Sequence, residues 1–299
     1  MGFISAKDDL LEMISKTRAP ILTLLLLVLF FWPTSAQRRA AITRDRPFEP
    51  AEELTYKAEF SRSLLRKLDV ANFKLTVTQV PAVGEQKTGP EGSYQLKLTG
   101  DVESQGFFPR LFGISFRQRV ESTVEPGSFV VQKTIRLDEQ GKRVRSSEAI
   151  FDHDRGQVTW VERDPKDPAR PERKISSKFG EPVQDILSAI YFVRTRELQP
   201  GEKFDVPISD SGRVYQVPVV VTEKKRMKTS LGRLPVVKIE PQLFGPGGMI
   251  GEEGTFSIWL TDDNRRIPVS ARLKTQYGTF DITLKKVSQP SAQLVWSQR

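Results

Sequence analysis

Few residues in this chain invite a chemical reading. The single histidine, His153, stands in Phe151-Asp-His-Asp-Arg-Gly156 between two carboxylates. A metal site or an acid–base centre would use those side-chain types. On an extended chain, however, neighbouring side chains point to opposite sides, so Asp152, His153 and Asp154 do not readily converge on one ion. Asp and Gly between two alternating segments are also what a tight turn selects, and a turn with a solvent-facing histidine is the expectation. One histidine cannot supply a zinc site built mainly from imidazoles. The chain has no cysteine. That excludes thiolate metal sites, cysteine nucleophiles, disulfides and a lipidated amino-terminal cysteine.

Other patterns resolve the same way. No Gly-x-Ser-x-Gly nucleophile elbow is present. Gly245-Pro-Gly-Gly-Met-Ile-Gly-Glu-Glu-Gly254 lacks the Lys-Ser/Thr ending of a P-loop, and Ile250 stands where a dinucleotide fingerprint needs its third glycine. A long hairpin loop is the expectation there. Asp262-Asp-Asn264 resembles a calcium loop until Arg265 and Arg266, where an oxygen ligand and a glycine would be required. It reads as strand, turn, strand. Carboxylates are scattered with no pair singled out, so a hydrolase with a carboxylate site stays only as an alternative.

One apolar stretch stands apart, Gly106-Phe-Phe-Pro-Arg-Leu-Phe-Gly113. Each buried Phe or Leu contributes about 1.5–3 kcal/mol, so four left in water would forgo roughly 6–12 kcal/mol. Either they tuck over the end of the domain or they form an apolar lip that a ligand contacts. Phe107, Phe108, Arg110, Leu111 and Phe112 are therefore the candidate ligand-binding residues. The rings would meet an apolar chain and Arg110 an anionic head.

The elements that must carry these residues are mainly strands. In Glu53-Leu-Thr-Tyr-Lys-Ala-Glu-Phe60, apolar and polar residues alternate with the period of a half-buried strand. The same alternation predicts strands around 73–78, from 94, at 115–124, 129–137, 143–151 and 157–162, and then at 203–208, 214–222, 234–240, 255–260, 267–275 and 279–284. A polar loop is expected over 81–92. In Pro182-Val-Gln-Asp-Ile-Leu-Ser-Ala-Ile-Tyr-Phe-Val193, apolar residues fall at helical spacing. Pro182 is placed as the first helical residue, and an apolar face of Val183, Ile186, Leu187, Ile190 and Tyr191 is expected against the sheet. The fold class predicted is all-β with one helix: a strongly curved antiparallel sheet or open β-barrel, with the single helix packed across it.

Residues 21–32 form an unbroken apolar run of about a dozen residues, closed by Pro33-Thr-Ser-Ala36. That length suits a signal-peptide core, whereas a bilayer span needs roughly 20 residues. Thr34 and Ala36 have the spacing a signal peptidase reads. Acidic residues before the run are unusual for a leader, and a start at Met13 would give a short basic flank; Met1 and Met13 both remain open. The rival reading is an uncleaved inner-membrane anchor over 19–32. The organisation expected is a signal peptide over 1–36, a flexible tail over 37–50, an antiparallel β domain over 51–287 and a C-terminal tail over 288–299. The formal net charge of +9 lies wholly after residue 36. A basic exported protein meets anionic lipid, lipopolysaccharide or glycan, although most Lys and Arg alternate with apolar residues and read as solvated strand faces. Glu223-Lys-Lys-Arg-Met-Lys228 is the densest cluster, followed by Lys142, Arg143 and Arg145, each expected beside a turn.

Several stretches in order resemble the bacterial family catalogued as domain of unknown function 3108. They are Glu53-Leu-Thr-Tyr56, Val120-Glu-Ser-Thr-Val-Glu-Pro126, Phe151-Asp-His-Asp154, residues 182–194 with Leu198-Gln-Pro-Gly201, Leu231-Gly232, and Ile258-Trp-Leu-Thr-Asp-Asp263 running into Arg266-Ile-Pro268. The resemblance spans roughly residues 50 to 287. It implies an exported envelope protein and brings no catalytic residues. By analogy of fold alone, it is similar to periplasmic carriers of lipoproteins, with a concave apolar surface. The function expected is therefore non-enzymatic binding of a lipid-like envelope component. An envelope scaffold for protein or glycan partners is the alternative. No cofactor, metal or nucleic-acid partner is expected, and the membrane is met only through the leader before cleavage. Intact-mass analysis of the exported protein should show a chain beginning at Gln37; a mature chain retaining residues 24–29 would favour the anchor instead.

Overall fold

The computed structural model describes residues 47–81, 94–105, 115–245 and 249–288. The leader expected over 1–36, the tail up to residue 46, the polar loop from 82 on and the C-terminal tail from 289 on fall outside them. The first half of the chain forms β1 (Glu53–Arg62), β2 (Leu65–Pro81), β3 (Tyr94–Ser104), β4 (Phe116–Val124), β5 (Val131–Gln140), β6 (Arg143–Asp152), β7 (Gln157–Arg163) and β8 (Arg173–Lys178). Each is antiparallel to the one before it. After a two-residue strand, β9 (Gln184–Asp185), comes the helix α1 (Ile186–Arg194). A second meander follows: β10 (Lys203–Asp210), β11 (Arg213–Thr229), β12 (Gly232–Pro241), β13 (Gly254–Thr261), β14 (Pro268–Thr275) and β15 (Gly278–Ser288).

β15 pairs antiparallel with β1, so the two meanders join into one sheet running from β8 through β1 and β15 to β9. Consecutive strands lie side by side except at one step, where the chain leaps from β8 at one edge to β9 at the other. Among the described residues the expected all-β class with one helix holds, with a short parallel pairing of β9 to β10 as the single parallel ladder between named strands. The period-2 reading holds in detail. Along β1, Leu54, Tyr56, Ala58 and Phe60 are buried while Glu53, Thr55, Lys57 and Glu59 are half-exposed. Bulges at Thr55/Tyr56, Ala58/Glu59 and Trp259/Leu260 add local twist and help the sheet curl. β8 carries a single apolar residue, Ile175, in Arg-Lys-Ile-Ser-Ser-Lys, so alternation gave no sign of it; it is a polar edge strand.

The curl brings the two edges of the sheet together without a backbone ladder between them. The β10–β11 turn is made by Ser211 and Gly212, both with positive φ (49° and 78°), as a two-residue hairpin requires. A Cβ on Gly212 would lie 2.8 Å from the Ile175 carbonyl oxygen and 2.9 Å from Trp160 Cβ, so this turn sits directly on β7 and β8. Side chains span the seam. Arg136 Nη2 on β5 lies 3.0 Å from Asp210 Oδ1, Gln184 Nε2 donates to the Phe129 carbonyl at 2.9 Å, and Gln216 Nε2 donates to Glu181 Oε1 at 2.7 Å. The architecture is an open barrel laced shut by polar side chains.

α1 departs from the expected helix in two ways. It begins at Ile186 rather than Pro182, because Gln184 and Asp185 are held in the ladder to β10. Asp185 is the N-cap: its Oδ1 accepts from Ser188 N at 2.7 Å, and Ser188 Oγ accepts from Asp185 N at 2.9 Å, a reciprocal capping box. Moreover, the helix is not amphipathic in its surroundings. Ile186, Leu187, Ser188, Ala189, Tyr191, Val193 and Arg194 are all buried, so the helix packs across the sheet, as expected, but is covered on nearly every side. Ile190, assigned to the packing face, is only half-buried, and Val183 precedes the helix and packs with Phe151 and Trp160.

The helix end is tied down by charge. Arg194 and Glu52 have 0% side-chain exposure and meet as a bidentate fork, Nη1 to Oε1 at 2.6 Å and Nη2 to Oε2 at 2.9 Å. Arg194 also donates to the carbonyls of Pro47 and Arg265, at 3.0 and 3.2 Å. Its guanidinium lies over the rings of Phe48 and Tyr191, at 5.1 and 5.2 Å. Pro47 and Phe48, expected in a flexible tail, are buried; Phe48 packs against Phe129 and Tyr191. Removing one partner of a buried pair leaves a poorly compensated charge, here Glu52 with only the part-exposed Arg265 at 3.3 Å, whereas replacing both by apolar groups is often tolerated. Arg194→Met should therefore lower stability to urea by about 3–5 kcal/mol. Arg194→Met with Glu52→Leu should recover most of that loss. A double variant as unstable as the single would show that the buried charge is not the cause.

Candidate functional site

Because the helix is short and the barrel wide, the two do not fill the interior. A cavity of about 90 Å³, open at its mouth, lies between α1 and the sheet. Ile186, Leu187 and Ile190 of α1 form one side. The wall opposite comes from inward positions of strands far apart in sequence, among them Tyr56, Phe73, Val102, Val120, Ala271 and Ile282. A second, much smaller apolar space of about 20 Å³ lies against Ala189, Ile190 and Val193, and Ile190, Ile258 and Pro268 border both.

Small side chains shape the wall. Gly100 stands in the middle of β3, where a glycine normally weakens a strand and marks close approach of another element. Here a Cβ would lie 3.5 Å from both Leu187 Cδ1 and Leu75 Cδ2, so alanine fits and any longer side chain would enter the cavity. Tyr56 is held by a 2.9 Å hydrogen bond from its hydroxyl to the Pro268 carbonyl, and burial holds its phenol pKa well above the ordinary value.

One end of the cavity is polar. Thr134 and Arg136, both inward on β5, line it together with Asp185. The Thr134 hydroxyl donates to Asp185 Oδ2, so the same carboxylate caps the helix and closes the seam to β5. Arg136 points the same way and is paired with Asp210. Flanking Val120 on β4, the Gln118 amide and the Ser122 hydroxyl are buried with no hydrogen-bond partner among the described residues. Asp138 follows Arg136 on the inner face and stands opposite Gln118. Loss of solvent raises its carboxyl pKa, although Arg143, Arg136 and a hydrogen bond from Gln140 act in the other direction.

This arrangement can hold a mostly apolar molecule by burial and orient a small polar end. His153 is not part of it. The ring lies in the exposed β6–β7 turn, with Nε2 2.7 Å from the Val131 carbonyl oxygen and its face edge-on to Phe179. Asp152 Oδ1 accepts from Arg155 N, as an Asp opening a turn does. Asp263 likewise serves its own turn, accepting from Thr261 Oγ1 and from the amides of Arg265 and Arg266. Among the described residues no cluster of three metal-ligating side chains occurs.

Phe107, Phe108, Arg110, Leu111 and Phe112 lie outside the described residues. They belong to the connection from β3 to β4, two strands that both contribute to the cavity wall through Val102 and Val120. Alternation identified the wall residues as inward without revealing that they face a space. Thr134, Arg136 and Asp185 were missed as a group. Gly100 in a strand interior was the one local sign of close approach.

A raised carboxyl pKa means that the folded state binds the proton more tightly than the unfolded chain. The contribution of Asp138 to stability is then present at acid pH and is lost as pH rises from the ordinary carboxylate value through the folded one. Asp138→Asn should raise the melting temperature at neutral pH, and the gain should shrink as the pH is lowered through the carboxylate range. A gain independent of pH would show that the charge of Asp138 is not what burdens the fold.

Comparison with known proteins bears on family and on little else. The family model described as "Protein of unknown function (DUF3108)" matches residues 55–285. No curated protein matches the chain. Among solved structures, a beta-barrel-like protein of domain of unknown function DUF1849 from Brucella abortus is similar at 10% identity and a TM-score of 0.48, covering 82% of this chain and 98% of the other. A candidate lipoprotein from Parabacteroides distasonis is similar at 9% identity and a TM-score of 0.30, covering 81% and 97%. Those scores carry no argument about function, ligand or location.

Proposed function

The chain belongs to the DUF3108 family, and we propose that it is an exported envelope protein that binds an amphiphile, non-enzymatically, in the cavity between α1 and the sheet. The observation that carries this reading is the cavity itself. The space, about 90 Å³ with an open mouth, is concave, mostly apolar and edged by a few polar groups, as small-molecule sites are. Its wall is almost wholly apolar, so a hydrocarbon chain would gain about 0.8 kcal/mol for each methylene buried. Thr134, Arg136 and Asp185 at one end, with Gln118 and Ser122 near by, supply the few polar groups that fix orientation in such sites. Export rests on the short apolar run over 21–32 and the small residues Thr34 and Ala36 behind it.

Arg136 and Asp185 are already engaged with Asp210, Thr134 and the helix amide. That argues for a ligand held by burial, with its polar end making supplementary hydrogen bonds. Such recognition selects chain length and bulk more than head-group identity.

Mass spectrometry of organic extracts from the purified full chain should recover an amphiphile bearing a hydrocarbon chain. Gly100→Leu and Ala271→Leu each place added side-chain volume in the cavity. Both should cut recovery per folded molecule at least severalfold; Gly100→Leu should also lower the melting temperature, because its Cβ already meets Leu187 and Leu75. Extracts of the parent protein free of any amphiphile, or recovery unchanged in both variants, would overturn the reading.

A further inference from the structure

The densest cationic cluster of the sequence has no part in the cavity. Residues 223–228, expected beside a turn, lie instead on β11, in the outer half of a long hairpin with β12. β10 pairs with β11 only as far as Val220, and β13 pairs with β12 only from Val236 on, with the Pro235 carbonyl taking one further bond from Asp262 N. Beyond that point the pairs Met227↔Leu234, Lys228↔Arg233 and Thr229↔Gly232 form a two-stranded ribbon with no third strand on either side among the described residues. At about 3.3 Å per residue it projects roughly 10 Å from the sheet.

The two faces of this ribbon differ. On one, Lys225 is paired with Glu223 and lies over the Trp259 ring at 5.4 Å, while Met227 and Leu234 are partly buried against the core. Alternation puts Lys224, Arg226 and Lys228 on the other face, and register puts Arg233 there too, directly opposite Lys228. Lys224 is paired with Asp262 at 2.9 Å. Arg226, Lys228 and Arg233 are exposed and have no carboxylate partner among the described residues; Arg226 donates only to the Arg233 carbonyl. The tip is fixed: Leu231 N donates to Thr229 Oγ1 at 3.0 Å, and Gly232 takes the positive φ that closes the turn. Leu231 at that tip is 40% exposed.

Lysine on a free strand edge commonly guards against unwanted pairing. That role needs no like-charged pair, and like charges directly across a ribbon are destabilising. An apolar side chain at the tip likewise does nothing to guard an edge. We propose that the β11–β12 ribbon is a docking surface for an anionic membrane, with Arg226, Lys228 and Arg233 meeting phosphate-bearing head groups and Leu231 entering the interface. Charge complementarity assigns the sign of the partner. The exposed leucine beside the cations favours a lipid surface over a soluble glycan, because only the former has an apolar layer beneath its charge. This surface is independent of the cavity reading.

Co-sedimentation of the full chain tests it, using vesicles of phosphatidylglycerol and phosphatidylcholine in equal parts against vesicles of phosphatidylcholine alone. The anionic vesicles should bind more tightly, and the difference should fade with added salt. The combined substitution Arg226→Glu, Lys228→Glu and Arg233→Glu should weaken binding to the anionic vesicles by about a hundredfold or more, since each basic residue near such a surface is worth roughly fivefold. Leu231→Asp, which changes one exposed tip residue, should weaken it severalfold and serves if the triple variant does not fold. Equal binding to both vesicle types, unchanged binding by a folded triple variant, or binding to heparin without binding to vesicles would overturn the proposal. Amphiphile recovery in organic extracts should be unaffected by these substitutions, so failure here and failure of the cavity reading are separately visible.

Discussion

The bidentate contact between Arg194 and Glu52 is the constraint on which the interior depends. Both side chains are fully buried, so neither charge has water to fall back on. The planar guanidinium spends its donors on the Glu52 carboxylate and on the carbonyls of Pro47 and Arg265, a set that a lysine ammonium could not match in geometry. Three pieces of chain meet there: the segment leading into β1, the C-terminal end of α1, and the turn between β13 and β14, where Arg266 also donates to the Arg194 carbonyl. A nine-residue helix has little stability of its own in water. α1 holds its position because its far end is fixed by this contact and its near end by Asp185, which is bonded to Thr134 and laddered to β10.

That double anchorage explains why the barrel keeps a space inside. A helix free to slide would settle against the wall, since unfilled apolar volume is destabilising. Pinned at both ends, α1 packs closely where it meets Val77, Leu96, Leu98 and Gly100 through Leu187 and Tyr191, and stands off where the wall carries Val102 and Ala271. The seam between the sheet edges reinforces the arrangement. Part of it is made of side-chain contacts from β5 to β9 and β10, and Thr134, Arg136 and Asp185, which take part in them, also give the cavity its polar lining. Structural closure and the polar lining share these three residues.

Charge on the outside follows a different logic. Along the strands, many basic residues are matched by neighbours, as in Lys57 with Asp69, Lys74 with Glu53, and Lys97 with Glu121. Such exposed pairs contribute little to stability and mainly keep the outer face solvated. The end of the β11–β12 ribbon breaks this matching and places cations where neither packing nor pairing requires them.

Alternation in the sequence was enough to establish an antiparallel β domain with one helix, because whether a strand residue faces in or out depends only on its neighbours. The turns at 152–156 and 262–264 were legible for the same reason: Asp152 and Asp263 bond to amides two or three residues away. The ordered motifs likewise carried the family. Local pattern could not show that β8 is a strand, since a polar edge strand has no inward apolar series, nor that the helix starts after Pro182, since that start depends on pairing with β10. It gave Arg194 no special standing either, because a basic residue in the last turn of a helix ordinarily faces water and suits the helix dipole. Arg194 and Glu52 are 142 residues apart, and Thr134 and Asp185 are 51. Only the closure of the sheet brings such partners together, and only the tertiary structure decides which inward residues are packed solid and which are left facing a space.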